Sequence, residues 1–221
     1  MPTTPRSTYA HFCMLAKALE RLGDRWALLV VRDLLTGPRR FTDLMDRLGG
    51  ITPRTLTQRL RDLESDGLVA VDREPGRREV WYRLTAAGQD LAPVVEELTL
   101  WGMRHLAAPP APGEATHPEH LLRGLRLVLD REPVDVGAVD WVIRTDDHGD
   151  SYTISGRHGR WTVRDGAIAD PDVELSGTRR DLAGYLTTPS GARAAGRPGV
   201  RVQGSEREVS RFLSAIAAFP P

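Results

Sequence analysis

In the first half of the chain, apolar positions recur three and four residues apart. Leu15, Leu19 and Leu22 form one stripe, and Trp26, Val30, Leu34 and Leu35 form a second, which predicts helices over 10–22 and 25–35. Gly37-Pro38 ends the second of these. Phe41, Leu44 and Leu48 supply the inner face of a third helix, and Gly49-Gly50 permits a sharp turn after it. Thr52 caps a fourth helix and Pro53 takes its first position, where a missing N–H breaks no bond. Gly67 stops that helix. The period then changes to two: Leu68, Val69 and Val71 read as one strand, and Val80, Tyr82 and Leu84 as another. Pro75-Gly76-Arg77-Arg78 is the basic turn between them, and a last helix is expected over 86–106 with Leu91, Val95, Leu98 and Leu106 on one face.

Residues 107–113, AAPPAPG, make a stiff connector. The expected organisation is a mostly α winged helix-turn-helix domain over 1–106, a Pro-rich linker over 107–113 and an α+β domain over 114–221. The α+β half begins with a helix over about 117–129 presenting Leu121, Leu125 and Val128. Strands are expected at 140–145, 151–156 and 160–164, with Asp165-Gly166 as a hairpin turn. Val173 to Leu175 and Val200 to Val202 are two further strands, each running into a helix opened by a capping-box pattern, Thr178-x-x-Asp181 and Ser205-x-x-Glu208.

Composition narrows the function classes. The chain has 221 residues, of which 40% are hydrophobic, enough for ordinary cores. It contains no apolar run of transmembrane length and no secretory pattern, so no membrane partner and a cytoplasmic location are expected. Its single cysteine, Cys13, excludes an internal disulfide framework and zinc-finger spacing. Formal net charge is zero, yet Arg39, Arg40, Arg47, Arg54, Arg59 and Arg61 face only Asp43 and Asp46 within 39–61. Binding DNA requires such a local patch, not a global excess.

On the fourth helix, Leu56, Leu60 and Leu63 share the inner face, and Arg54, Gln58 and Arg61 lie opposite them beside Thr55 and Thr57. Arginine pairs bidentately with guanine and glutamine with adenine, so Arg54, Thr55, Gln58 and Arg61 are the candidate base contacts. Thr52, Arg39, Arg40, Arg77 and Arg78 are the candidate phosphate contacts, which fix position without reading sequence. A plain solvated helix face would account for any one arginine, but not for a capped helix, a Gly-Gly turn and a basic wing in that order.

Cys13, the Gly23-Asp24-Arg25-Trp26 segment, Arg40-Phe41-x-x-Leu44, Leu56-Thr57-x-Arg59-Leu60-x-x-Leu63-Glu64-x-x-Gly67-Leu68, Tyr82-x-Leu84-Thr85-x-x-Gly88 and Trp101 together resemble HxlR-type regulators, MarR-related winged helix-turn-helix proteins of bacteria. Met14 departs from the proline that usually follows that cysteine. The resemblance implies a homodimeric transcriptional regulator that binds double-stranded DNA. The second half, through Pro171 to Thr178 with Asp181-Leu182 and through Val200 to Gly204, is similar to sterol carrier protein-type domains. That likeness implies an open sheet with helices over one face and an apolar cavity. Strand alternation nominates Trp141, Ile143, Tyr152, Ile154, Trp161 and Val163 as lining residues for an apolar small molecule, while each taken singly reads more readily as plain core.

Cys13 sits where some relatives carry an oxidant-sensing thiol, although a free cysteine is more often a small buried hydrophobe. His117 and His120 have permissible metal spacing without a joining cysteine, and turn chemistry accounts for Asp146, Asp147 and Asp150. With no phosphate loop and no nucleophile motif, neither an enzyme, nor a cofactor, nor a metal site is expected. Two readings follow: a ligand-responsive regulator on an inverted-repeat operator, or a hydrophobic-metabolite carrier whose first half only dimerises. Sequence-selective DNA binding separates them.

Overall fold

The computed structural model describes residues 8–73, 79–131, 137–188 and 198–218. The chain divides into two compact units, Met1–Val95 and Glu96–Pro221.

The first unit runs α1 (Met14–Leu22), α2 (Ala27–Leu34), β1 (Arg39–Arg40), α3 (Phe41–Leu48), α4 (Pro53–Ser65), β2 (Val69–Arg73), β3 (Val80–Leu84) and α5 (Ala86–Gln89), and α6 (Ala92–Leu106) begins within it. Its core joins the apolar faces of α2, α3 and α4: Val30, Val31 and Leu34 meet Leu44, Leu48, Leu56, Leu60 and Leu63, with Val69 and Leu84 closing from the sheet. Gly49 and Gly50 hold φ of +50° and +72°, the left-handed turn that lets α4 cross α3. β2 and β3 pair antiparallel from Val69–Leu84 to Arg73–Val80.

Three features depart from the sequence reading. α1 starts at Met14 and not at residue 10, with Cys13 extended before it. The helix expected over 86–106 is two helices interrupted at Asp90-Leu91. Pro93 is the cause: it has no N–H to give to the carbonyl four residues back, and its ring would clash there. A short third strand, β1, pairs Arg39 with Tyr82 and Arg40 with Trp81, so the wing sheet runs β1-β3-β2. Two residues with no apolar alternation carry no strand signal. The expected wing tip, Pro75 to Arg78, lies outside the described residues.

The second unit contains the later turns of α6, then α7 (Pro118–Arg131), β4 (Val139–Thr145), β5 (Ser151–Arg157), β6 (Arg160–Asp165), β7 (Val173–Gly177), α8 (Arg179–Leu186), β8 (Val200–Gly204), α9 (Glu206–Ala215) and a 3-10 turn at Ile216–Ala218. The sheet order is β6-β5-β4-β7-β8, antiparallel except for the parallel β4–β7 pair. Leu122, Leu125, Val128 and Leu129 of α7, Leu182 and Tyr185 of α8, and Val209 and Phe212 of α9 share one core with alternate residues of every strand. The helices therefore cover one face of the sheet. Thr178 and Ser205 accept the backbone N–H of Asp181 and Glu208, as the capping patterns predict.

Two expectations change here. Leu122, not Leu121, takes the fully buried place on α7. The hairpin turn falls at His158-Gly159, where φ values of +52° and +74° suit a two-residue turn between twisted strands. Asp165-Gly166 ends β6, which lies at the sheet edge, and the chain next enters the sheet on the far side of β4.

Candidate nucleic-acid interface

Helix α4 is fixed at its start by its own residues. Thr52 Oγ1 accepts the Thr55 N–H at 3.2 Å and shares a 2.7 Å hydrogen bond with Thr55 Oγ1. Leu56, Leu60 and Leu63 are at most 2% exposed, which turns the opposite face outward. Arg54, Gln58 and Arg61 lie on that face and are exposed. Arg54 and Arg61 make no ion pair among the described residues, so two full positive charges stand ready for an anion. Gln58 Nε2 donates to Asp62 Oδ1 at 2.9 Å, a bond between helical neighbours that leaves the second amide hydrogen and Oε1 outside it.

The basic patch is thinner than its sequence. Arg47 Nε donates to Asp33 at 3.2 Å, and Arg32 Nη2 reaches the same carboxylate at 3.0 Å. Arg59 is tied to Asp24 at 2.5 Å and to Asp62 at 3.3 Å. Both arginines face inward: Arg47 ties α3 to α2, and Arg59 ties α4 to the loop before α2. Arg39 is half-buried and donates to Thr36 Oγ1 at 2.7 Å. Arg40 remains at the surface, 2.9 Å from Glu79 and with its guanidinium 4.7 Å from the Trp81 ring centre. Cross-strand pairing of Arg40 with Trp81 sets up this stack. Arg77 and Arg78 lie outside the described residues.

Sequence reasoning missed the Arg40–Trp81 stack and the buried Asp33. The signal for the latter was present: an acid inside the apolar run from Ala27 to Leu35 sits at a core-facing position. Elsewhere, Trp141, Ile143, Tyr152, Ile154 and Trp161 are buried in the second core, and Val163 packs against it. Trp141 meets Trp161 at 4.8 Å and stands edge-on to Phe212 at 4.9 Å. These rings pack against one another. A groove of about 660 Å³ lies instead along β8 and α9, lined by Val202, Gly204, Val209, Leu213 and Ala217 beside Glu206, Ser210 and Ser214. Cys13 is half-buried. Among the described residues no three His, Cys, Asp or Glu side chains are grouped to hold a metal ion, and no helix is long and apolar enough to cross a membrane.

The HxlR-like helix-turn-helix family matches residues 21–109. YvaP, an HTH-type transcriptional regulator of Bacillus subtilis, is 37% identical over 86 residues, which cover 38% of this chain and 80% of YvaP. The chain belongs to the HxlR-like helix-turn-helix family. Another relative, an HTH-type transcriptional regulator of Synechocystis sp., is 40% identical over 86 residues, 38% of this chain and 64% of that protein. The chain thus spans less than two thirds of the length of that relative. Among solved structures, the reduced form of the transcriptional regulator YodB from B. subtilis is 29% identical and covers 46% of this chain and all of its own, with a TM-score of 0.39. The family match includes α4 and the wing strands and ends before α7.

Proposed function

We propose that this chain is a cytoplasmic, homodimeric transcriptional regulator that binds an inverted-repeat DNA operator through α4. The observation that carries this reading is the outward face of a capped α4, where Arg54 and Arg61 are exposed and uncommitted while the neighbouring Arg47 and Arg59 are bound inward. Arg54, Thr55, Gln58 and Arg61 are assigned to base edges. Thr52, Arg39, Arg40, Arg77 and Arg78 are assigned to phosphates.

Dimerisation is supported by apolar side chains exposed on α6 and at α1. On α6, Val94, Leu98 and Trp101 are each about half exposed, with His105 stacked on Trp101 at 5.2 Å. Their spacing of four, three and four residues is that of a two-helix seam. On α1, Leu15 and Leu19 are exposed and follow Phe12, which is 89% exposed. Pairing of such faces between copies removes them from water.

The second unit is read as a sterol carrier protein-like module that answers to an apolar small molecule. The predicted lining residues are packed core, so the ligand's place is the groove along β8 and α9, apolar on Val202, Val209 and Leu213 with polar anchors at Ser210 and Ser214. Cys13 is the corresponding candidate for oxidant sensing, to be checked by comparing Cys13→Ser with the parent under peroxide.

The deciding experiment is selection of binding sites from a random duplex pool by the full-length chain, followed by gel shifts at physiological salt. The regulator reading expects one inverted-repeat sequence bound about 10³-fold or more above random duplex. Absence of any sequence preference overturns it and favours the hydrophobic-carrier reading. Release of DNA by a fraction of hydrophobic metabolites, lost in Leu213→Trp, supports the sensing role.

A further inference from the structure

Helix α1 has no fully buried residue: Met14, Leu15 and Leu19 are exposed, and Leu22 at its last position packs partly buried against the core, so burial anchors α1 at its C-terminal end and leaves the rest of it free of its own chain. Beside Leu22, the last turn of α1 and the loop after it are tied electrostatically to the recognition helix. Arg21 Nη1 lies 2.5 Å from Asp66 Oδ1, and Asp24 Oδ2 lies 2.5 Å from Arg59 Nη2. Asp66 is the C-cap of α4 and its side chain is only 4% exposed. A carboxylate there faces the negative end of the helix dipole and has lost most of its water, so it requires a cation. Arg59, 13% exposed, is the converse case: a cation in the interior that requires carboxylates. Arg59 and Asp66 are seven residues apart, on one flank of α4 well round the axis from Arg54 and Arg61. The two bridges can therefore act without touching the reading face.

We infer that Arg21–Asp66 on the last turn of α1, backed by Asp24–Arg59 in the loop that follows it, makes α1 and α4 one rigid piece, so that the place α1 takes in the dimer sets the separation of the two recognition helices. Arg21, Asp24, Arg59 and Asp66 are positioning residues under this inference, which rests on the dimeric DNA-binding reading above. They determine which spacing between half-sites is accepted, and Arg54 and its neighbours determine which bases are. A second half-site at the right distance adds affinity only when both helices reach their grooves together, a gain of about 100-fold or more for a rigid pair.

Two measurements on the full-length chain test this. The first reads DNA: affinity for a single selected half-site and for inverted repeats whose spacer is lengthened or shortened one base pair at a time. The parent should show a sharp optimum. Arg21→Ala should keep half-site affinity and dimer fraction, lose about tenfold of the two-site gain, and accept neighbouring spacers almost equally. Arg21→Lys and the exchanged pair Arg21→Asp/Asp66→Arg should restore the optimum. A merely structural role would lower half-site and two-site binding together. The second measurement needs neither DNA nor a dimer. Spin labels at Lys17→Cys on α1 and Glu64→Cys on α4, in a Cys13→Ser background diluted with unlabelled chain, report the α1–α4 distance. The distribution should be narrow, broaden in Arg21→Ala and narrow again in the exchanged pair. An unchanged distribution in Arg21→Ala, or an unchanged spacer optimum, overturns the inference. A broadened distribution in a protein that selects no DNA site keeps the clamp and overturns the regulator reading instead.

Discussion

Arg47 Nε donates to Asp33 Oδ1 at 3.2 Å, and Asp33 has no exposed surface. A cation that looks like part of a DNA-binding patch is thus spent on tying α3 to α2. Arg32 shares the same carboxylate, and both arginine side chains retain some exposure to water. Asp33→Ala removes the acceptor of both and should cost about 3 kcal/mol of stability. The check is the urea midpoint of unfolding. Base preference of the protein that remains folded should not change, because neither arginine lies on the reading face.

Arg54 and Arg40 should differ in kind. Arg54→Ala or Gln58→Ala should cost about 1–3 kcal/mol on the selected operator and relax preference at one base pair. Arg61→Ala should behave as Arg54→Ala does. Arg40, stacked on Trp81 at the wing, should weaken every duplex alike when replaced by alanine and lower the salt slope by about 1. Binding titrations across a salt series on matched and mismatched operators separate the two. Identical profiles for Arg54→Ala and Arg40→Ala would remove the division between bases and phosphates.

The contrast between Arg54 and Arg47 shows what could be read from the chain. The Thr52-Pro53 start, the Leu56-Leu60-Leu63 stripe and the Gly-Gly turn are local signals, and the structure repeats each of them. Arg54 and Arg61 follow from that stripe by helical geometry alone. Arg47 and Arg59 were indistinguishable from them in sequence because their partners, Asp33 and Asp24, lie far along the chain or outside the helix. Only tertiary packing brings the charges together. The same limit applies to Trp141, Trp161 and Phe212. Alternation shows which side of a strand is apolar, but whether that side meets a cavity or another ring depends on α9, which folds back from the end of the chain.

The α6 stripe should behave as an interface. Leu98→Glu or Trp101→Glu places a charge where two copies would pair, and neither residue is buried within its own chain. Each variant should sediment as a monomer at micromolar concentration with an unfolding midpoint close to the parent, and should bind a half-site but lose the two-site gain. A variant that stayed dimeric would move the interface to α1. Phe12→Glu and Leu15→Glu would then be expected to give the monomer.

Tyr152 offers a test of the second unit by pH. Its hydroxyl donates to Glu119 Oε2 at 3.2 Å, and both side chains are buried. Burial above all, and then the negative charges of Glu119 and Asp150, push the phenol well above its ordinary value. The unfolded chain releases this proton near pH 10. Above that point the unfolded state has lost a proton that the folded state keeps, so the stability contributed by Tyr152 is complete below about pH 10 and declines as pH rises further. Tyr152→Phe should therefore act in two ways. At pH 8 it leaves the buried Glu119 without this donor and should cost about 1–3 kcal/mol. Between about pH 10 and 11.5 it should lack the alkaline decline that Tyr152 causes, so the parent and variant curves should converge. Urea unfolding of both proteins across that range, taken as a difference, cancels the titration of the other tyrosines. A difference that stays constant with pH would show that Tyr152 ionises as freely in the folded chain as in the unfolded one.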